Sequence, residues 1–198
     1  MFKRTWWRFW RHAWEADVPG LEERTVILPE LANLEATVLS WDMAFKKTST
    51  SDFVAGGVWS RHGANLYLRD LRWRRMSFTE SLEELRAQSI DYPEATAKLV
   101  EDAANGPAIL DTLRDEIEGL IPVAPLGGKE ARASASSPRV QAGNVILPLW
   151  ADWRDKYIEE HAAFPVGAHD DAVDQQSQAI LYFQSGYGDW ARAMEVAF

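Results

Sequence analysis

The chain has 198 residues and a formal net charge of −9, with 46% hydrophobic and 26% charged residues. This balance indicates one globular domain that can bury a core, and no run of about eighteen apolar residues is present to span a membrane. The absence of cysteine excludes disulfides, thiolate metal sites and cysteine nucleophiles, and it fits a cytoplasmic protein.

Residues 1–20 are basic and aromatic, and residues 1–35 are predicted to form a leader or connecting segment before a main domain at 36–198. They lack the uninterrupted apolar core and the cleavage site of a signal peptide. Four tryptophans recur at spacings of three and four: Trp6, Trp7, Trp10 and Trp14. This spacing predicts a helix with one aromatic side, which docks on a neighbouring domain or, alternatively, contacts DNA.

Three consecutive strands are predicted next. Residues 35–45 are apolar on both alternating faces, which is typical of a central strand covered on both sides. Asp42 then lies within a hydrophobic strand, where an ionised carboxylate is costly unless it has a partner. Residues 52–60 and 65–73 predict two further strands, joined by a tight hairpin with Gly63 as its turn residue.

The remainder of the chain alternates between helices and strands. Helices are predicted at 77–90, 105–119, 149–164 and from 170 to about 184, with another in 127–143 that Pro138 breaks or kinks. Strands are predicted at 97–102, 120–125 and 144–148. This order predicts an α/β mixed sheet in which antiparallel strands lead into parallel strands.

Several acidic residues fall where such a sheet could bring them together. Asp42 lies on the first strand, Glu101 ends a later strand, and Asp170 and Asp171 stand at the head of the last helix. Two divalent ions about 3.5–4 Å apart can activate water and stabilise a leaving oxygen in phosphoryl transfer, and Mg²⁺ and Mn²⁺ prefer carboxylate ligands. Alternatively, Asp170 and Asp171 cap the helix, and Glu101 ends its strand in solvent.

Five segments occur in an order that resembles a known family: SWDMAFKKTSTSDFVAGGVW, LVEDAANGPAIL, GGKEARA, GNVILP and FPVGAHDDAVDQQSQAI. Residues 36–184 are similar to the C-terminal nuclease domain of the large terminase subunit, the DNA-packaging motor of tailed bacteriophages and prophages. The resemblance implies a ribonuclease H-like fold and an endonuclease that cuts concatemeric viral DNA with two Mg²⁺ or Mn²⁺ ions.

The resemblance also implies partners and a location. These are double-stranded DNA and, in the full motor, the portal, the small terminase subunit and the ATPase domain, in the cytoplasm of a bacterial host. No G-x-x-x-x-G-K-[ST] phosphate-binding loop occurs in the sequence. The chain is therefore expected to be the nuclease half without the ATPase, with 1–35 as the remnant of the interdomain connection.

By position, the resemblance implies that Asp42 and Glu101 are metal ligands, with a third ligand from Asp171 or Asp170. Neighbouring residues point about 100° apart on a helix, so these two aspartates cannot face one point equally. Asp171, whose direction the first helical turn would fix, is the predicted direct ligand and completes the predicted catalytic set. Asp170 is the alternative, or a second ligand when both ions are bound.

Three other polar residues are predicted to have accessory roles. Asp174 would lie one turn deeper than Asp171 and hold a basic side chain such as Lys129 or Arg132. His169 would contact a phosphate or a metal ion, or else bond the backbone. Asp52 matches a further recurrent acid of the family and suits a turn cap equally well.

Five basic residues are predicted to bind DNA: Arg72, Arg74, Arg75, Lys129 and Arg132. The resemblance implies phosphate contacts for the two that lie in GGKEARA. An enzyme that cuts many sequences should hold phosphates rather than read bases. The arginines around Trp73 could instead form a solvated strand end.

Two other functions stay open at this point. A Holliday-junction resolvase or transposase-type nuclease would share the fold and the acids but prefer branched DNA. A non-catalytic DNA-binding or assembly module of the packaging machine would bind DNA or the portal without cutting. The intact acidic positions argue against this second alternative.

Overall fold

A computed structural model describes residues 1–43, 52–101, 106–124 and 127–195, without the side chains of residues 52, 106–109 and 186–195. The strands are β1 (Arg8–Arg11), β2 (Thr25–Ile27), β3 (Ala36–Asp42), β4 (Asp52–His62), β5 (Asn65–Met76), β6 (Ala95–Glu101), β7 (Leu120–Val123) and β8 (Val145–Pro148). The helices are α1 (Phe78–Asp91), α2 (Gly106–Leu113), α3 (Lys129–Gln141), α4 (Arg154–Ala163) and α5 (Asp171–Glu195). No helix in the described ranges is long and apolar enough to cross a membrane.

The strands form one eight-stranded sheet in the order β2-β1-β8-β5-β4-β3-β6-β7. Strand β4 is antiparallel to both of its neighbours, and the other neighbouring pairs are parallel. This arrangement confirms the predicted mixed sheet. Because β4 alone runs against the rest, the carboxyl ends of β1, β3, β5, β6 and β8 lie at the same edge.

Strand β3 is covered on both faces, as its apolar pattern predicts. Leu39 and Trp41 pack into one core layer with residues of α1 and α2. Val38 packs into the opposite layer with residues of α5. Asp42 is the last residue of β3 rather than a mid-strand residue, so its carboxyl group stands at the sheet edge while remaining buried.

The hairpin and the first helix have the local signals expected of them. Gly63 turns the chain between β4 and β5 with a φ of 58°, in the left-handed region that glycine enters without a Cβ clash. Helix α1 begins with a capping box, in which the Ser77 hydroxyl accepts from the Glu80 backbone N–H at 3.3 Å. The Glu80 carboxylate accepts from the Ser77 backbone N–H at 2.7 Å.

The predicted aromatic helix near the amino terminus is wrong. The segment contains strand β1, which pairs in parallel with β8 on one side and with β2 on the other. Trp7 and Trp10 are buried, whereas Trp14 is 81% exposed. Spacings of three and four favour a helix locally, but pairing with residues far along the chain decides otherwise. The division at residue 35 into a connecting segment and a nuclease domain stays a prediction.

Two helix predictions need smaller corrections. Helix α2 ends at Leu113 rather than at residue 119, and turns follow before Gly119. Leu110, Leu113 and Ile117 of the predicted range are nevertheless buried in one cluster. Pro138 lies inside α3 without ending it.

Candidate active site

Two carboxylates meet at the sheet edge because their strands are parallel neighbours. Trp41 of β3 pairs in register with Val100 of β6, so Asp42 and Glu101 follow at equivalent positions. Ser40 donates a 2.7 Å hydrogen bond to the Gln175 carbonyl of α5. Since strand side chains alternate, Asp42 faces α5 as well.

The amino-terminal half of α5 lies on the sheet through buried polar side chains. Residues 174–178 are all buried although each is polar or charged. The Gln178 side-chain amide donates to the Ser40 hydroxyl at 3.0 Å and to the Leu99 carbonyl at 3.3 Å. The Gln175 side-chain carbonyl accepts from the Trp59 indole N–H at 2.8 Å. These bonds set the position of α5 above β3 and β6.

Gly57 in β4 allows this close approach. A Cβ atom at that position would lie 2.4 Å from Oε1 of Gln175, which is too close for any side chain. On the other face of the same strand, a Cβ at Gly56 would lie 2.2 Å from the Trp41 ring. The adjacent glycines therefore let one strand accept an α5 side chain on one face and an indole on the other.

Helix α3 supplies two cations to the carboxylates. Lys129 Nζ lies 2.8 Å from Asp170 Oδ1 and 2.6 Å from Asp174 Oδ2. Arg132 Nη2 lies 3.0 Å from Asp174 Oδ1 and 3.8 Å from Glu101 Oε2. The expectation that Asp174 holds a basic side chain is confirmed, and both of the named candidates contact it.

The carboxyl groups at this edge resist ionisation. Burial, followed by repulsion from Glu101, Asp174 and Asp171, raises the pKa of Asp42 well above its ordinary value. Burial is also the main cause that raises the pKa values of Glu101 and Asp171. Burial alone would lower the pKa of Lys129, but its bonds to the two aspartates outweigh this and raise it. The two cations at this site are shared by five carboxyl groups, those of Asp42, Glu101, Asp170, Asp171 and Asp174.

The excess of carboxyl groups over cations suits a divalent cation, both in charge and in ligand chemistry. The available donors are carboxylate oxygens, which suit Mg²⁺ and Mn²⁺. As they stand, no three acidic or histidine side chains among the described residues are grouped so that they could hold a metal ion. Lys129 and Arg132 contact two of the aspartates, so an entering ion would replace these contacts.

Glu160 of α4 belongs to the site although no sequence pattern indicates it. Its side chain is 8% exposed, and Oε1 accepts a 2.8 Å hydrogen bond from the Ala172 backbone N–H. Burial raises the pKa of this carboxyl group to about 7. The bond holds the first turn of α5, from which Asp171 projects, so Glu160 orients the predicted ligand.

The structure brings only some of the predicted DNA contacts to this edge. Arg72 and Arg74 lie on the α1 side of the sheet, opposite Asp42, and both bond Glu84 at 2.7 and 2.8 Å. Arg72 also bonds Asp91 at 2.6 Å. This placement indicates that the two arginines stabilise the packing of β5 against α1. Their contact with DNA stays a prediction.

The remaining accessory residues have different placements. His169 is exposed, and its ring centroid lies 4.4 Å from that of Phe53. Arg75 lies on the same face, with its guanidinium carbon 4.8 Å from the Phe53 ring centroid. The side chain of Asp52 is outside the described part of the structure, so its role stays a prediction.

The chain matches a protein-family model, and several solved structures have a similar fold. A family model described as the terminase RNase H-like domain matches residues 39–183. The large terminase nuclease domain of Thermus phage P74-26 is similar, with a TM-score of 0.59 and 17% identity over 93% of this chain and 94% of that one. No curated protein matches the sequence.

Two further solved structures add to this comparison. The large terminase nuclease of thermophilic phage G20c with bound zinc has a TM-score of 0.56 and 21% identity, over 75% of this chain and 81% of its own. That nuclease is also known with bound magnesium and with bound cobalt. The large terminase of another thermophilic bacteriophage has a TM-score of 0.61 and 13% identity over 80% of this chain. The match spans 42% of that longer protein.

Proposed function

Since the chain belongs to the terminase RNase H-like domain family, we propose that it is a metal-dependent endonuclease that cuts double-stranded DNA during phage genome packaging. The observation that carries the proposal is the meeting of Asp42, Glu101 and the head of α5 at one sheet edge. The raised pKa values there supply a physical reason for a divalent cation to bind. Metal-bound G20c nuclease structures support the same class of cofactor.

Each residue has a role in the proposed reaction. Asp42, Glu101 and Asp171 would hold two Mg²⁺ or Mn²⁺ ions, and Asp170 would be a further ligand when both are present. When bound, such ions activate a water molecule and compensate charge on the leaving oxygen. Glu160 keeps the first turn of α5 in place, so that the Asp171 carboxylate is directed before DNA arrives.

Lys129 and Arg132 have a second role in this proposal. They form ion pairs with Asp174 and Asp170 in the structure. A phosphodiester that enters the site brings negative charge to the same two cations, which would then bind its non-bridging oxygens. They therefore exchange one anionic partner for another, and the substrate is held beside the carboxylates.

The proposal extends to the packaging machine. The portal, the small terminase subunit and an ATPase domain are the proposed partners of the large subunit to which such a domain belongs. The reaction would take place in the host cytoplasm. We assign DNA cutting to the sheet edge that carries Asp42 and Glu101, and we assign no DNA translocation to that edge.

Digestion of supercoiled plasmid by the purified chain tests the proposal. We expect nicked and linear products with Mn²⁺ or Mg²⁺, and none with Ca²⁺ or with chelator. A matched linear duplex and four-way junction should be cut at similar rates, whereas a strong preference for the junction would favour a resolvase. Binding without cutting in every metal would favour a non-catalytic packaging module and contradict the proposal.

A further inference from the structure

Aromatic rings and cations from four segments form one cluster at the same sheet edge. We call it the aromatic–cation platform, and its members are Phe53, Trp73, Arg75, Lys156 and His169. Lys156 Nζ lies 3.7 Å from the Trp73 ring centroid and 5.0 Å from that of Phe53. The guanidinium of Arg75 and the ring of His169 contact Phe53 from other directions, at 4.8 and 4.4 Å.

The platform lies directly beside the candidate active site. His169 immediately precedes Asp170 in the chain. Phe53 stands two residues before Ala55, which pairs with Asp42 across β3 and β4. Lys156 lies one helical turn before Glu160, which holds the first turn of α5. A DNA strand that reaches the carboxylates therefore passes over or beside these rings.

Lys156 is held in a different way from Arg72 and Arg74, which lie on the α1 side of the sheet. Arg72 and Arg74 are bonded to carboxylates, which cancel their charge. Lys156 instead lies over two aromatic rings. A ring orients a cation through its quadrupole without neutralising it, so the ammonium group can still donate to an anion.

Exposure supports a surface of this kind. Arg75, Lys156 and His169 are exposed, while Phe53 and Trp73 are partly buried beneath them. The rings thus form a fixed floor, and the cations form the outer layer that solvent and ligands reach. Pre-positioned cations lose less side-chain entropy on binding a phosphate than free lysines and arginines do.

We propose that the aromatic–cation platform binds the backbone phosphates of DNA next to the cleavage site. Lys156 and Arg75 supply the charge, and Phe53 and Trp73 hold them at a fixed height above the sheet. This inference rests on the proposed function, and it adds Lys156 to the residues that contact the substrate, with Phe53 and Trp73 as its support.

The test is duplex binding in the Asp42→Asn background with Ca²⁺, so that binding is measured without cutting. Lys156→Gln together with Arg75→Gln should weaken the Kd about tenfold and lower the slope of log Kd against log salt by about two, because each phosphate contact contributes about one. Lys156→Arg should keep most of the affinity. Lys3→Gln is the matched control, since Lys3 also lies over a tryptophan ring, at 5.8 Å from that of Trp6.

The outcomes separate this inference from the proposed function. An unchanged Kd and salt slope in the double variant, in a chain whose wild type cuts DNA, overturns the platform alone. A weakened Kd in the double variant, in a chain that cuts under no metal, overturns the nuclease proposal alone. Equal loss in Lys3→Gln would show a general charge effect and also overturn the platform, and melting temperatures verify that each variant is folded.

Discussion

Asp42 is buried at the end of β3 among other carboxylates, and its ionised form is unfavourable without a cation. We expect Asp42→Asn to lower the cleavage rate by more than about 100-fold, since outer contacts of metal sites alone contribute about 10–100-fold. The melting temperature in chelator should not fall, because the amide has a similar shape and no charge to bury. Plasmid digestion with Mn²⁺ and thermal unfolding with EDTA measure the two effects. Full activity in the folded variant would remove Asp42 from the mechanism.

Asp170 and Asp171 are neighbours with unequal surroundings. Asp170 bonds Lys129 at 2.8 Å, whereas Asp171 begins α5 beside the Glu160 contact. We expect Asp171→Asn to abolish cutting, because it removes the predicted direct ligand. Asp170→Asn should reduce cutting several-fold, because it removes only a further ligand and Lys129 keeps Asp174 as a partner. Single-turnover cleavage of one duplex compares them directly. An inactive 170 variant beside an active 171 variant would reverse the assignment.

The acidic residues of the candidate site could be predicted from the sequence, but the residues that position them could not. Asp42, Glu101 and the HDD segment stand out because the predicted sheet brings their carboxylates to one edge. There they repel one another unless they share a cation. The contact of Asp174 with a basic side chain was also predictable, since a carboxylate three residues after Asp171 lies beside it on the helix and favours a nearby cation. Glu160 was not predictable, because its bond to α5 depends on how two helices lie against each other.

Gly57 determines how closely α5 approaches the sheet. We expect Gly57→Ala to lower the free energy of unfolding by about 1–3 kcal/mol, because the new Cβ would lie 2.4 Å from Gln175 Oε1 and overpack the interface. Cleavage should fall as well, since the same helix directs Asp171. Urea unfolding and plasmid digestion measure these losses.

Gly128 provides the matched control for this change. Apart from its chain neighbours, no atom of the described residues lies within 4 Å of a Cβ built at Gly128, and its φ of −78° is open to any residue. Gly128→Ala should therefore change stability by less than about 1 kcal/mol. Equal losses in the two variants would show that the effect of Gly57→Ala comes from backbone freedom rather than from the contact with Gln175.

The elements themselves differ in how far local signals determine them. Helix α1 has its capping box at Ser77, and the β4–β5 hairpin has Gly63, so both could be placed from neighbouring residues. Strand β1 has no such signal, because its tryptophan spacing imitates a helix and its partners are residues 146–148. Parallel strands in particular depend on distant residues, which a local pattern does not report.

The stability of the whole molecule should depend on pH through the buried carboxyl groups. Burial raises the pKa values of Asp42, Glu101 and Asp171, and that of Glu160 to about 7. A carboxyl with a raised folded pKa contributes stability below its ordinary pKa and loses it as the pH rises through the folded value. His161, with its pKa lowered by burial to about 3, has the opposite dependence, which levels off only above its ordinary value of about 6.5.

The melting temperature without metal should therefore fall by a few degrees between pH 6.5 and 8, because the fall from the carboxyl groups exceeds the remaining rise from His161. Millimolar Mn²⁺ should raise it and reduce or reverse this fall, because the ion binds the deprotonated carboxylates of the native state. Calorimetry across this range, with EDTA or Mn²⁺, measures both effects. A metal-free melting temperature that rises from pH 6.5 to 8 would contradict the direction assigned to the carboxyl groups.

Strand β1 has a consequence for the time course of folding in the cell. Arg8, Phe9 and Trp10 pair with Ile146, Leu147 and Pro148, which the ribosome adds about 140 residues later. At about 5–20 residues per second, roughly 7–28 s of synthesis separate the two strands. Strand β1 can pair early with β2, but it is made long before β8 exists. The pairing of β1 with β8 is thus among the last strand pairings of the sheet to form.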